Sequence, residues 1–150
     1  MAKFVLKNAE VKIDPGADDS VSSADVIDLS DFVQSVTFNI SKDTPEATAM
    51  GDLDRVRLHG LREWSVDITF FQDFDSGSVD ATLWDIIDND KFVTLWVKAD
   101  STTAISATNP QYTGRAVLPG HTPVSGTVGD VSTISVTFNS SRPLTRNTGA

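Results

Sequence analysis

The residues of this sequence that could carry out chemistry are two histidines and many carboxylates. A serine or cysteine nucleophile needs a neighbouring base, and the chain offers only His59 and His121 as imidazoles and has no cysteine. No G-x-S-x-G motif surrounds any serine, so we interpret both histidines as surface or turn residues. The 21 Asp and Glu residues leave a glycosidase-like pair of carboxylates open. Most aspartates, however, fall in predicted loops or on polar strand faces, so we predict no catalytic residue.

Residues 14–31 raise the question of a calcium site. They contain six aspartates and no basic residue, and carboxylate oxygens are the ligands that Ca²⁺ prefers. Their spacing does not match the D-x-[DN]-x-[DN]-G pattern of an EF-hand, and Asp14-Pro15-Gly16 is typical of a turn. We therefore predict a solvated acidic loop over 14–31, with no bound metal and no cofactor.

Three tryptophans offer a different kind of site, a platform on which a sugar ring could stack. Trp64 and Trp84 occupy apolar positions of periodic segments, and Trp96 lies in an apolar strand. Large aromatic side chains at such positions usually pack in the core. We interpret all three as core residues.

The elements that position these residues are mostly strands. Alternating apolar and polar residues predict one or two short strands in the first 13 residues and longer ones over 32–40, 61–71, 112–118 and 133–139. Residues 91–99 are apolar on both faces, which predicts a strand that is covered on both sides. Helical spacing of Val79, Leu83, Ile86 and Ile87 predicts a single helix that begins after an N-cap at Ser78. The fold class is therefore mainly β, antiparallel, with one flanking α-helix and long loops.

Two segments lack a usable period. Residues 41–54 contain Pro45 and Gly51, and a short strand over 55–59 precedes Gly60; an aperiodic segment of this length inside a compact chain is often functional. The polar residues 140–150 are predicted to form a loose C-terminal tail. With 150 residues and no internal repeat, the chain is predicted to be one domain, 1–150.

Charge excludes several classes of partner. Twelve basic and 21 acidic residues give a formal net charge of −9, whereas gripping DNA phosphates or an anionic membrane needs clustered positive charge. No apolar run is long enough for a transmembrane helix, and Lys3, Lys7 and Lys12 interrupt the start where a signal peptide would need an apolar core. We expect a protein that stays in the cytoplasm until it is assembled or released.

The order of these segments resembles a known family. Residues 46–73 (EATAMGDLDRVRLHGLREWSVDITFFQD), 109–114 (NPQYTG), 122–129 (TPVSGTVG), the strand that ends at Phe138, and 142–146 (RPLTR) are similar to the major tail proteins of long-tailed, non-contractile bacteriophages. These proteins form the tail tube. The resemblance covers about residues 30–146.

The resemblance implies a β-sandwich or barrel-like tail tube domain. Six copies would continue their sheets around an inner barrel to form a ring, and the rings would stack into the conduit for genome ejection. Residues 41–60 would form an arm that reaches a neighbouring subunit, through Pro45, Met50, Leu53 and Arg55. Implied partners are further copies, the tape measure, tail terminator and distal tail proteins, and DNA that passes without specific binding. The protein would lie in the virion tail after assembly in the host cytoplasm.

The acidic charge fits this role, because a negative wall repels DNA phosphates and lets the duplex slide. Asp67, on the polar face of the Trp64 strand, is the predicted lumen-facing residue. Two other interpretations stay open. One is a monomeric β-sandwich that binds carbohydrate or calcium, and the other is a small hydrolase with paired carboxylates.

Overall fold

The structure, a computed structural model, describes residues 5–16 and 26–149. Its strands and helix are β1 Glu10–Gly16, β2 Ile27–Asp28, β3 Val33–Lys42, β4 Arg62–Phe71, α1 Val79–Asp88, β5 Phe92–Lys98, β6 Gln111–Val117, β7 Thr133–Ser140 and β8 Thr145–Asn147. The predicted order of strands and helix is confirmed. No helix within these residues is long and apolar enough to cross a membrane.

The strands form one antiparallel sheet in the order β2-β1-β5-β6-β7-β4-β3, with β8 paired to β6. Strands β6 and β7 are joined by only two residue pairs, and there the sheet bends so that its two halves face each other. Trp64 of β4 consequently lies against Gly114 of β6, although β7 separates these strands along the sheet. The predicted sandwich-like fold is confirmed.

The core lies between the two halves. On β4 the residues Trp64, Val66, Ile68 and Phe70 are buried while Asp67 is exposed, as strict alternation predicts. Strand β5 is buried or half-buried along its whole length, because one face contacts the core and the other is covered as well. The apolar run of this strand had predicted that double cover.

Helix α1 packs on the core through Val79, Leu83 and Ile86. It extends to Asp88, one residue beyond the predicted end. Ser78 is the N-cap residue, as predicted, but its side chain makes no capping bond; its hydroxyl donates instead to Asp73 Oδ2 at 2.7 Å.

Three predictions on these elements were wrong. Strand β1 continues through residues 14–16, where a turn was predicted, because all three residues pair with β5. The rest of the predicted acidic loop contains β2 and a 3-10 turn over 30–32, while its residues 17–25 lie outside the described chain. The C-terminal tail is not loose throughout, since β8 pairs with β6. Trp84 is 54% exposed on α1, because its position lies off the stripe that faces the core.

A buried charged residue braces the sheet. Arg115 on β6 is fully buried, and its Nη1 donates to Thr94 Oγ1 at 2.8 Å and to the Asp14 carbonyl at 3.3 Å. Burying a guanidinium is costly unless its hydrogen bonds are supplied. The side chain therefore ties β6 to its neighbour β5 and to β1, which lies beyond β5 in the sheet.

Candidate assembly surface

Strands β3 and β7 each present a long stretch of edge that no other strand of the described residues pairs with; the short strands β2 and β8 have a free side as well. Strand β3 is hydrogen-bonded to β4 alone. On the side away from β4, strand β7 is paired to β6 only at Asn139 and Ser140, which leaves residues 133–138 without a partner strand there. We call these two stretches the open edges. An exposed row of unpaired backbone N–H and C=O groups is a template for pairing with another chain.

The outer face of β3, β4 and β7, called here the polar face, is built from three rows of small polar side chains. In register across the three strands these rows are Ser35-Thr69-Ser135, Thr37-Asp67-Thr137 and Asn39-Ser65-Asn139. The cross-strand partners bond to each other, as Thr69 and Ser135 do at 3.0 Å. The face therefore presents hydroxyls and amides to its surroundings, with one charged residue in the middle.

Asp67 is that charged residue, and its carboxylate is held on both sides. Thr137 Oγ1 donates to Oδ1 at 2.6 Å and Asn39 Nδ2 donates to Oδ2 at 3.1 Å. Two neutral donors orient the carboxylate without neutralising it, so the negative charge stays on the exposed surface. The position on the polar face is the one that alternation along β4 predicted.

The arm (residues 41–60) is an extension of the β3–β4 hairpin. Backbone hydrogen bonds continue between its two branches, from Leu58 N to Pro45 O at 2.9 Å and from Ala47 N to Val56 O at 2.8 Å. The predicted strand over 55–59 is reduced to one isolated bridge, between Glu46 and Arg57. Every residue of the arm is exposed, so it projects from the body of the domain.

The residues predicted to make inter-subunit contacts occupy different parts of the arm. Pro45 lies in the hydrogen-bonded base, and Arg55 Nε is 3.8 Å from Glu46 Oε1 in an exposed ion pair. Met50 and Leu53 flank the turn and are fully exposed. The arm exposes two further large apolar side chains, those of Val56 and Leu58. A cluster of exposed apolar side chains marks a surface for a partner.

The histidines form no catalytic group. His59 is exposed in the arm, as predicted. His121 lies in the irregular segment after β6. Of the two predicted alternatives, surface or turn, the structure excludes the surface for its side chain, which is 2% exposed with Nε2 3.5 Å from Asp80 Oδ1 at the start of α1. Among the described residues, no three His, Asp or Glu side chains lie close enough together to bind a metal ion.

Among the carboxylates that the structure describes, those with a clearly perturbed pKa have it lowered, which favours the ionised form. The pKa of Asp73 is lowered by hydrogen bonds from the Asp75 backbone and the Ser78 hydroxyl, and that of Asp85 chiefly by the hydrogen bond from Lys91. The pKa of Asp100 is lowered by Thr102. A general acid needs the opposite shift, a raised pKa. These three groups stabilise loops and the end of α1.

Comparisons with known proteins give one kind of match. No protein-family model and no curated protein matches the chain. Among solved structures, the tail of an empty gene transfer agent particle with C6 symmetry aligns with a TM-score of 0.71 at 12% identity, over 95% of this chain and 98% of that one. The SPP1 tail tube aligns with a TM-score of 0.68 at 16% identity, over 93% and 77%. The chain has the tail tube fold.

The fold also occurs in contractile machines. The sheath–tube complex of an extracellular contractile injection system aligns with a TM-score of 0.59 at 14% identity, over 97% of this chain and 93% of that one. The tail tube fold therefore does not by itself separate contractile from non-contractile assemblies.

Proposed function

We propose that the protein is the structural subunit of a bacteriophage tail tube. Six copies form a ring, and the rings stack into the conduit through which the genome is ejected. The observation that carries this proposal is the tail tube fold, which spans nearly the whole chain and matches a tail assembly of C6 symmetry. The role is structural and involves no catalysis.

The open edges supply a way to close the ring. In each contact, β3 of one copy pairs with the free edge of β7 in the next copy, so that the polar half of every sheet continues into its neighbour. Such a contact joins two different surfaces of the subunit. Repeating it gives a closed ring when a whole number of rotations between neighbouring copies makes one full turn. Closure pairs both open edges with a neighbouring copy.

The polar face lines the lumen in this arrangement, with Asp67 directed at the passing DNA. Six copies of charge −9 give −54 per ring, and the polar face contributes one of these charges per subunit. The substitution Asp67→Lys should give tubes that retain duplex DNA at low salt, whereas Asp67→Asn tubes should not, because only the lysine adds a phosphate contact. Co-sedimentation of DNA with tubes over a salt series measures this. Equal DNA retention by the two variants would contradict a position of Asp67 in the lumen.

Among the types of tail, we assign this subunit to a non-contractile one. This assignment rests on the resemblance of the regions around Trp64 and Asn109-Pro110 to that group. The tube would be assembled in the host cytoplasm and would meet the tape measure, tail terminator and distal tail proteins. The arm contacts a neighbouring subunit through Pro45, Met50, Leu53 and Arg55.

Negative-stain electron microscopy of the pure protein over a concentration series, with light scattering alongside, tests the proposal. Rings or hollow tubes of uniform width are the expected result. Monodisperse particles of 16.2 kDa at every concentration, also after addition of tail-tip complexes as initiators, would overturn it.

A further inference from the structure

An apolar cavity of about 290 Å³ opens at one end of the sandwich. It lies where β3 faces the ends of β5 and β6, and its walls include Leu6, Val36, Phe38, Val97 and Tyr112. The Phe38 ring lies 5.5 Å from that of Tyr112 and 5.6 Å from that of Trp64, so one wall is a fixed aromatic cluster. An apolar cavity of about 150 Å³ in a protein core holds benzene. This one has room for an aliphatic side chain or two.

The turn of the arm carries groups that match such a cavity. Met50 and Leu53 are fully exposed and lie three residues apart around Gly51, which takes a positive φ of 98°. The turn is closed by Ala49 N, which donates to Asp52 Oδ2 at 2.8 Å. Two apolar side chains are therefore held on one ordered turn.

Charge is complementary between the two surfaces. The arm turn carries Asp52 and Asp54, both exposed. The cavity is lined in part by Lys98, but that side chain is buried and forms an ion pair with Glu10 at 3.7 Å. The exposed positive charge comes from Lys7, which lines an adjoining groove that shares Leu6 and Val36 with the cavity. The acidic turn with its two apolar side chains is therefore matched by a cavity that has apolar walls and one exposed lysine beside it.

The arm is long enough to leave its own subunit. Nine residues separate Lys42, the end of β3, from Gly51 at the turn, and an extended chain of that length spans about 30 Å. Since all of these residues are exposed, the turn contacts no core of its own chain.

We propose that Met50 and Leu53 insert into the apolar cavity of a neighbouring copy, with Asp52 and Asp54 near that copy's Lys7. The inference rests on the proposed tail tube function and names the surface that receives the arm. Insertion buries the apolar side chains of the turn and fills the cavity at the same time. Each subunit has one arm and one cavity, so in a series of linked copies each arm can occupy the cavity of the next copy.

Cysteine cross-linking tests the contact, since the chain contains no cysteine. The double variant Leu53→Cys/Ala99→Cys places one thiol on the turn and one on the exposed cavity wall. Its control, Leu53→Cys/Ala81→Cys, moves the second thiol to the exposed face of α1. A short bismaleimide should join assembled copies of the first variant into multiples of 16.2 kDa and leave the control as single chains. Tubes in which neither pair reacts, or both react equally, would overturn the docking.

A second variant measures the energetic contribution. Met50→Ser/Leu53→Ser should keep the unfolding midpoint of the parent and raise the concentration needed for tube formation at least tenfold. The control Val128→Ser removes another fully exposed apolar side chain and should leave that concentration unchanged. If the parent forms tubes and the serine variant forms them as readily, only the docking fails. If the parent never assembles, the tail tube function and the docking fail together.

Discussion

Replacing each of two tryptophans by alanine separates a core from a surface role. Trp64 is 2% exposed, its Nε1 donates to the Arg142 carbonyl at 2.9 Å, and its ring stacks on Phe38. Removing a buried Trp ring costs about 3–5 kcal/mol of unfolding free energy. Trp64→Ala also leaves the Arg142 carbonyl without this hydrogen-bond donor, so we expect a cost near the upper end of that range. Trp84→Ala deletes the same atoms from an exposed helix position and should cost less than about 1 kcal/mol.

Urea unfolding followed by far-UV circular dichroism measures the difference. With an m-value of about 2 kcal/mol/M, a loss of 4 kcal/mol lowers the midpoint by about 2 M. Where Trp64→Ala fails to fold, Trp64→Phe keeps the stacked ring, loses the hydrogen bond and gives an intermediate midpoint. A loss below about 1 kcal/mol for Trp64→Ala, or equal losses for the two alanine variants, would refute the packing argument. A sugar-binding Trp64 would instead lose binding while the fold stayed intact.

Three further predictions concern the stability of the subunit, each read as a shift of the urea midpoint. Gly114→Ala should cost about 1–3 kcal/mol because its Cβ would overlap the buried indole ring, whereas Gly120→Ala meets open space and should be close to neutral; equal midpoints would contradict this. Arg115→Ala should cost about 3–5 kcal/mol, since it leaves a cavity and removes a buried donor, and a loss under 1 kcal/mol would contradict the bracing role. Asp85→Asn should cost at most about 1 kcal/mol at pH 7, because its ion pair with Lys91 is partly exposed. The lowered pKa of Asp85 makes its contribution present above the ordinary value of 3.8 and lost as the pH falls through the folded pKa, so the two proteins should converge in acid, and a gap that widened there would contradict the assignment.

The strands and helix could be predicted because each carries its own period. Alternation along β4 separated buried Val66 from exposed Asp67, and helical spacing separated Leu83 from the surface. Pairing partners carry no such local signal. Residues 14–16 are polar or turn-forming in sequence and become strand only because β5 offers its edge, and β8 forms for the same reason against β6.

The candidate site was predictable only in part. The position of Asp67 on a polar face and the exposure of the arm followed from sequence, whereas the open edge of β7 depends on the bend that parts it from β6. The apolar cavity is made of side chains far apart in sequence, such as Leu6 and Tyr112, and no local pattern brings them together. Trp84 was predicted to be buried because it is a large aromatic residue in an apolar segment. Its position on α1 lies off the stripe that faces the core, so the side chain is exposed.

The bond between Trp64 and the Arg142 carbonyl joins residues 78 positions apart, and the pairing of β4 with β7 joins residues of similar separation. Contacts between residues so far apart in sequence form only after a long loop has closed, which costs conformational entropy. We therefore expect this domain to fold in milliseconds to seconds, the range in which all-β domains fold, and more slowly than a helical bundle of its size.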